Sequence, residues 1–579
     1  MRDYKALYES WLNDPCFDEE TRAELRAIAG DEKEIMERFY MDLEFGTAGL
    51  RGILGAGTNR MNKYVIRRAT QGLANYIIRK NGQQKGVAIA YDSRHMSPEF
   101  SDEAARTLAA NGIKAYRFES LRPTPELSFA LRELGCIAGI NITASHNPSN
   151  YNGYKVYWED GAQFTAPHDK AVMDEVLSIT DYSLCKTMSR EEAEAKGLYI
   201  TIGSEIDDKY IAAVEALMLN KDIVAEMADS IRIVYTPLNG TGHVPVTRVL
   251  KDMGFTHVYE VPEQAWPDSD FTTVPYPNPE AAASFELALK LAEEKKADIV
   301  LATDPDADRL GVYIRRADGS YTGLNGNMTA SLICEYLLNE RQKRGLIPAD
   351  GQVVETIVST DLIKAIAADH GCSLAECLTG FKWICRVIYE NELKGRGNFQ
   401  FGMEESYGCL PGSYTRDKDG IAACALLCEA AAVYASRGMS LWEAMISIYK
   451  KYGYYKEYTR AIELKGREGL EKIRMIMDTL RQQQPASFGE YRVLKIRDYQ
   501  NDAIRDLESG EVTPSGLPKS NVLYYELNDN AWIAARPSGT EPKLKFYCGV
   551  KGSSMEDADA KLEMLNTDLG AKVDAILGA

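Results

Sequence analysis

Three times along the chain an apolar run of strand length stops abruptly at a polar loop. Ile137–Ile142 gives way to Thr143-Ala144-Ser145-His146-Asn147-Pro148. Asp298–Ala302 leads to Asp304-Pro305-Asp306-Ala307-Asp308-Arg309, and Asn398–Phe401 leads to Gly402-Met403-Glu404-Glu405-Ser406-Tyr407-Gly408. Helical segments fill the intervals. Strands alternating with helices build βαβ units and a mostly parallel sheet. Open α/β sheets place their chemistry on loops leaving the C-terminal ends of strands. One repeated feature therefore constrains both the fold class and the position of a site.

The first cycle is expected to run through helix Val65–Lys80, strand Gly86–Tyr91, helix Ser97–Ala110, strand Lys114–Phe118, helix Pro125–Leu134 and strand Cys136–Ile142. Ser97 is the expected cap of its helix, with Pro98 in the first turn. The second cycle has strand Ile231–Tyr235 and a long helix Pro279–Lys296. The third begins near Asn325, with helix Met328–Arg344, strand Val353–Val358 and helices Leu362–His370 and Lys382–Leu393. Upstream, Leu25, Ile28, Ile35 and Phe39 lie at helical spacings. Beyond residue 453 the pattern changes to strands Tyr454–Leu464, Tyr491–Ile496, Val522–Leu527, Trp532–Ala535 and Lys545–Cys548, with few helices between them and a final helix Met555–Leu577. We divide the chain into a helical extension (1–40), three α/β domains (41–205, 206–325, 326–453) and an α+β domain (454–579), in line with about four domains for 579 residues.

A net charge of −18 argues against nucleic acid or an anionic membrane as partner. It also repels a phosphorylated substrate at long range, so any such substrate requires locally concentrated arginine and lysine. The eleven cysteines include no Cys-x-x-Cys pair, and the six histidines show no zinc spacing. Cys424 and Cys428 fit small core residues in a reducing compartment. The opening Met1-Arg2-Asp3-Tyr4-Lys5 leads into a charged helical segment. The most apolar helical stretch, Ala422–Ala435, is too short to span a bilayer and contains Glu429. The expectation is a cytoplasmic protein, monomeric or homodimeric, with no membrane or nucleic-acid partner.

The aspartate loop brings three carboxylates to one side of a turn, matching a hard, oxygen-seeking cation. A calcium EF-hand is excluded, because Arg309 stands where its sixth-position glycine belongs and Arg315 where its glutamate belongs. Ser145 is flanked by His146, and Lys155 follows ten residues later, so a proton acceptor and a cation are at hand. A phosphate on that serine would add about −1.5 to −2 charge, which Arg51 and Arg309 are candidates to balance. Glu404 and Ser406 can grip neighbouring sugar hydroxyls. Arg536-Pro537-Ser538-Gly539-Thr540 offers a guanidinium fork, hydroxyls and backbone N–H groups to a phosphate, with Lys545 close behind. Thr379, Gly380, Lys382, Arg416 and Lys418 are further candidates to line the site.

In this order the segments resemble the α-D-phosphohexomutase superfamily. The resemblance rests on Thr-Ala-Ser-His-Asn-Pro (143–148), Asn-Gly-Tyr-Lys (152–155), Pro-Asn-Pro-Glu (277–280), Asp-Pro-Asp-Ala-Asp-Arg (304–309), Glu-Glu-Ser (404–406) and Arg-Pro-Ser-Gly-Thr-Glu-Pro (536–542), and covers residues 45 to about 547. Thr379-Gly380-Phe381-Lys382 and Gly153 to Trp158 resemble its phosphoglucomutase/phosphopentomutase branch. The resemblance implies an α/β fold: three related α/β sandwich domains with mixed sheets, replacing the all-parallel expectation, plus a C-terminal α+β domain around a central cleft. It implies that Ser145 carries the phosphate and that Ser145, Asp304, Asp306 and Asp308 hold one Mg²⁺. It further implies that Lys155 transfers a proton, that Glu404 and Ser406 hold the sugar, and that Arg536, Ser538, Gly539 and Thr540 hold the non-transferring phosphate. Where some members carry a histidine just after the Glu-x-Ser element, this chain has Gly408-Cys409. The activity so implied is interconversion of glucose 1-phosphate and glucose 6-phosphate through glucose 1,6-bisphosphate. The alternatives are a phosphopentomutase, a phosphomannomutase, a hexose bisphosphate synthase and a non-catalytic sugar-phosphate binder.

Overall fold

The computed structural model describes residues 3–43, 49–464, 466–538 and 543–578. They form two compact units: Met1–Thr329 with Ile388–Lys394 and Ser406–Ser440, and Ala330–Val387 with Gly395–Glu405 and Leu441–Ala579.

In the first unit a six-stranded sheet has the order Leu50–Ile53, Tyr151–Trp158, Ala138–Ile142, Val87–Tyr91, Ala115–Phe118, Tyr199–Ile202. The last four run parallel, as alternation with helices requires. Tyr151–Trp158 runs antiparallel to both of its neighbours. A second sheet repeats the scheme. Ile299–Thr303, Arg232–Thr236 and His257–Glu260 are parallel, and Leu310–Arg315 folds back antiparallel on Ile299–Thr303, with Tyr321–Leu324 beyond it. In both sheets the strand that delivers a polar loop is flanked by the next strand of the chain in a hairpin. That hairpin makes the sheets mixed and holds each loop at both ends.

Two local expectations are corrected. Ser97 is the first helical residue of Ser97–Ala110, not its cap; Met96 caps the helix in a left-handed conformation, and the Ser97 hydroxyl donates to Asp92 Oδ1 at 2.7 Å. The long helix expected from Pro279 starts later, as a 3₁₀ turn Ala282–Phe285 followed by helix Glu286–Lys295. Asn278 holds the chain out of helix there, accepting the Glu280 N–H on Oδ1 and the Ser284 hydroxyl on its carbonyl.

The N-terminal helices Tyr4–Asn13, Glu19–Ala27 and Glu32–Phe39 bury Tyr8, Trp11, Phe17, Leu25, Ile35 and Phe39 against Tyr64 of helix Lys63–Arg79. The extension thus builds a hydrophobic cluster of its own with Ala56 and Tyr64. Helix Gly420–Ala435 is buried almost throughout. Its Glu429 accepts the backbone N–H groups of Leu219 and Asn220, which resolves a charged residue in an apolar stretch.

In the second unit Gly351–Thr356 pairs in parallel with Ser373–Cys377 and with Asn398–Glu404. The C-terminal part is an antiparallel sheet in the order Tyr454–Glu463, Lys543–Gly552, Trp532–Pro537, Leu523–Leu527, Tyr491–Asp498, Ala503–Asp506, Val512–Thr513. Helices Gly466–Gln483 and Met555–Leu577 cover one face. The other face packs Tyr524, Trp532 and Tyr547 against Ile357, Val358 and Leu378. Among the described residues no helix is long and apolar enough to cross a membrane.

Trp11 is 2% exposed and stacks on Phe17 at 4.1 Å. Trp11→Ala is expected to destabilise the first unit by about 3–5 kcal/mol, read as a lowered denaturant midpoint.

Candidate active site

Ser145 sits where strand Ala138–Ile142 ends, in a backbone conformation rare for a residue with a Cβ (φ 54°). Ala307, in the middle of the aspartate loop, is strained in the same way (φ 52°). Such strain persists only when the surroundings over-determine it, and here they do. Ser145 N–H donates to Thr143 Oγ1 at 2.8 Å. The buried Arg94 guanidinium donates to the carbonyls of Ser145 (2.6 Å), Pro148 (2.7 Å) and Tyr151 (3.2 Å), and to that of Asn147. Arg94 is itself paired with Asp92 at 3.2 Å. Gly153 completes the clamp, since a Cβ there would lie 2.4 Å from the Thr143 carbonyl oxygen.

The aspartate loop meets this serine directly. Ser145 Oγ donates to Asp304 Oδ2 at 2.9 Å and lies 3.1 Å from His146 Nδ1. Asp304, Asp306 and Asp308 are all buried, each offering an oxygen within 4.8 Å of the others. Lys155 Nζ donates to Asp306 Oδ2 at 2.6 Å, and Lys418 Nζ lies 3.0 Å from Asp308 Oδ2. Thr124 Oγ1 also donates to Asp306 Oδ2, at 2.9 Å. Asp304 Oδ1 accepts the N–H groups of Asp308 and Arg309, both at 3.1 Å. Arg309 pairs with Glu280 and lies 3.9 Å from both Asp304 and Asp308.

The electrostatics of this cluster point to a cation. Burial, then the neighbouring aspartates, push the Asp304 carboxyl well above the usual range, and Asp308 is raised by burial and Asp306. For Asp306 burial acts in the same sense, but the Lys155 ammonium overrides it and holds that carboxyl low. Asp306 Oδ1 and Asp308 Oδ1 are buried without a hydrogen-bond partner among the described residues. All-oxygen ligands with two unmatched lone-pair sites fit a hard divalent ion. Burial, reinforced by Arg309 and Arg51, drives His146 well below its ordinary value, so its imidazole is neutral. Arg51 donates to Asn147 Oδ1 at 3.3 Å, and its Nε is buried without a hydrogen-bond partner among the described residues.

Lys418 reaches Asp308 because position 408 has no side chain: a Cβ on Gly408 would lie 2.1 Å from Lys418 Cδ. Arg416 is buried and engages Glu392 and the carbonyls of Ser413 and Thr415, tying down its own loop.

The second unit holds most of the other candidates. Glu404 ends strand Asn398–Glu404 and is buried, and Thr356 Oγ1 donates to Glu405 Oε2 at 3.1 Å. Burial, then Glu404, lift the Glu405 carboxyl to about 7, against the pull of Arg536 and Lys545. Arg536 and Lys545 are directly opposed on antiparallel strands. Like charges so placed are destabilising unless an anion lies between them. Arg536 also donates to the Tyr547 hydroxyl at 3.4 Å, and Ser538 N–H to the Lys543 carbonyl at 2.7 Å. Thr379 precedes Gly380 (φ 113°), and Lys382 lies over the Trp383 ring at 5.8 Å. Ser406 belongs to the first unit. Gly539 and Thr540 lie outside the described residues.

Sequence reasoning missed Asp92, Arg94 and Thr124. The signal available was Asp92-Ser93-Arg94 immediately after strand Val87–Tyr91, another polar loop at a strand's C-terminal end.

The chain belongs to the phosphoglucomutase/phosphomannomutase family. Models of that family's α/β/α domains I, II and III match residues 42–183, 208–319 and 325–452. The chain is 37% identical over 519 residues to a phosphoglucomutase of Staphylococcus epidermidis, covering 90% of this chain and 92% of the relative. It is 35% identical over 538 residues to one from Staphylococcus aureus, covering 92% and 94%. Among solved structures it is similar to the parafusin phosphoglucomutase of Paramecium in its open form (TM-score 0.69, 18% identity, 93% of this chain and 97% of that one). It is also similar to a phosphoglucomutase/phosphomannomutase family protein of Burkholderia thailandensis (TM-score 0.64, 19% identity, 93% and 98%). At these identities the structural likenesses speak for the fold.

Two outcomes are expected. Thr124→Val removes the hydroxyl on Asp306 and is expected to lower the affinity of the aspartate trio for a divalent cation about 10–100-fold, read by calorimetric titration. Glu405, raised from 4.5 to about 7, contributes stability that is full below pH 4.5 and is lost as pH rises through about 7. Glu405→Gln should flatten the change in melting temperature across that window.

Proposed function

We propose that this protein is a phosphoglucomutase, interconverting glucose 1-phosphate and glucose 6-phosphate through phosphorylated Ser145 and a glucose 1,6-bisphosphate intermediate. The observation that carries the reading is Ser145 Oγ at 2.9 Å from Asp304 Oδ2 in a buried aspartate trio. It stands in a chain 35–37% identical to phosphoglucomutases over most of its length. Asp304, Asp306 and Asp308 are the residues that would hold one Mg²⁺. When bound, that ion polarises the phosphoryl oxygens and offsets their charge.

The residues of the chain then have distinct tasks. In the forward transfer the bond from phosphorus to Ser145 Oγ breaks as a bond to the free sugar hydroxyl forms, and the hydroxyl proton must leave. Lys155, held on Asp306 as an ammonium, is the group assigned to this proton transfer: once it has lost a proton to solvent, the neutral amine takes the hydroxyl proton and returns it to the departing sugar oxygen when the phosphoryl group comes back. His146, neutral beside the free serine at 3.1 Å, takes the Ser145 proton in that return step and gives it back to Oγ when the phosphoryl group next leaves. Arg51 and Arg309 balance charge on the transferring group. Glu404 and Ser406 orient the sugar, and Arg536 with Lys545 grips the phosphate that is not transferred. Positioning and charge neutralisation are expected to supply most of the rate.

Ser145→Ala is expected to abolish isomerisation while leaving the melting temperature unchanged, and intact mass should show phosphate on the wild type alone. Phosphate on another residue would overturn the assignment. A panel of glucose, mannose and pentose phosphates, each with a trace of hexose bisphosphate, tests the sugar. Isomerisation of pentoses only, or a reaction that stops at the bisphosphate, would replace the glucose reading.

A further inference from the structure

Strand Asn398–Glu404 ends beside a carboxyl that stands where an anion is expected. Glu405, the next residue, is partly buried in the second unit, close enough to Arg536 and Lys545 to feel both charges. Those two cations face each other on antiparallel strands, are themselves only partly buried, and among the described residues neither pairs with a carboxylate. An ionised carboxylate beside an open guanidinium normally closes on it as a charge-assisted pair. Glu405 instead takes a neutral donor. The Thr356 hydroxyl donates to its Oε2 at 3.1 Å, and Ser359 Oγ stands 2.9 Å behind that hydroxyl. The two cations are thus left open to a ligand, with an acid at their side that does not compensate them.

The groups acting on this carboxyl come from several elements of the one unit. Glu404, on its own strand, adds to burial in raising it; its own backbone N–H, Arg536 and Lys545 pull it down; the balance stands at about 7. Cys377, at the end of strand Ser373–Cys377, and Tyr547, which accepts from Arg536, also face it, and burial keeps both in their neutral forms. A phosphate monoester carries two negative charges above an ionisation near pH ~6. Seated between Arg536 and Lys545, it would offset their pull on Glu405 and add a repulsion of its own. A like charge nearby disfavours the ionised form of a carboxyl. Protonated, the same carboxyl has an O–H to donate to a phosphate oxygen.

We propose that Glu405 is a further determinant of the phosphate subsite: the anion held by Arg536 and Lys545 enters together with one proton, which Glu405 carries. The inference rests on the reading of Arg536 and Lys545 as the grip for the phosphate that is not transferred, and adds a neutral hydrogen-bond donor to it. The proton comes from solvent on binding and returns to solvent on release. Affinity is therefore greatest where Glu405 is already protonated, and falls as pH rises past that point.

The test is calorimetric titration of glucose 6-phosphate into the full-length protein in its dephosphorylated form, which has no phosphoryl group to transfer. Buffers of different ionisation enthalpy count the protons. At about pH 8 the ligand is dianionic and Glu405 mostly ionised, so uptake of about 0.9 proton per ligand is expected. Affinity should fall about eightfold between about pH 7.5 and about pH 8.5. Glu405→Gln, isosteric and permanently neutral, should bind without uptake and without that fall; a single cooperative melting transition identifies it as folded. Arg536→Ala separates the two readings. Undiminished affinity in that variant removes Arg536 from the phosphate grip and takes the inference with it. Binding that depends on Arg536 but takes up no proton, or equal uptake in Glu405→Gln, overturns the inference and leaves the grip standing.

Discussion

Three carboxylates buried within reach of one another are the constraint on which the first unit depends. Left alone they repel, and burial magnifies the cost of each charge. The surroundings answer in two ways. Lys155 and Lys418 stand against Asp306 and Asp308, and Asp304 takes a serine hydroxyl and two backbone N–H groups. Two oxygens still lack partners among the described residues, and a divalent ion would meet that residual demand. The strained backbones of Ser145 and Ala307 follow from the same requirement, since each loop must present its oxygens inward from the end of a strand.

The second unit shows the complementary arrangement. Arg536 and Lys545 face each other across an antiparallel pair, and Glu405 beside them is raised by burial and by Glu404. One unit gathers acids that await a cation, and the other gathers cations that await an anion. Local clusters of this kind can attract an anion even on a protein of net charge −18, because screening removes the long-range repulsion.

Much of this was legible in the chain. The Ser145 and aspartate loops were found because each follows an uninterrupted apolar strand, and the structure brings the two together. Helix Met555–Leu577 was read to its ends, since Ser554 caps it and Gly578 closes it. Strand Tyr151–Trp158 was not read as a strand. It is buried on both faces, so it lacks the alternation that marks a half-exposed strand. Helix Gly466–Gln483 was missed amid a run of strands, although its amphipathic face covers the C-terminal sheet. Arg94 was missed although it follows strand Val87–Tyr91 in a polar loop, because the carbonyls it holds leave no trace in a sequence. Arg416 was counted among the cleft residues by its charge, and in the structure it is buried and engages Glu392 and carbonyls of its own loop.

The bare position at Gly408 ties its loop to a second one ten residues on. Lys418 threads its aliphatic stem through the space where a side chain would project, and its ammonium arrives at Asp308. Positions 408 and 418 are therefore sterically coupled. A bulky residue can enter at 408 only if 418 is shortened or redirected, and Lys155 at 3.7 Å and Arg309 at 3.9 Å would then be left as the cations beside the third aspartate.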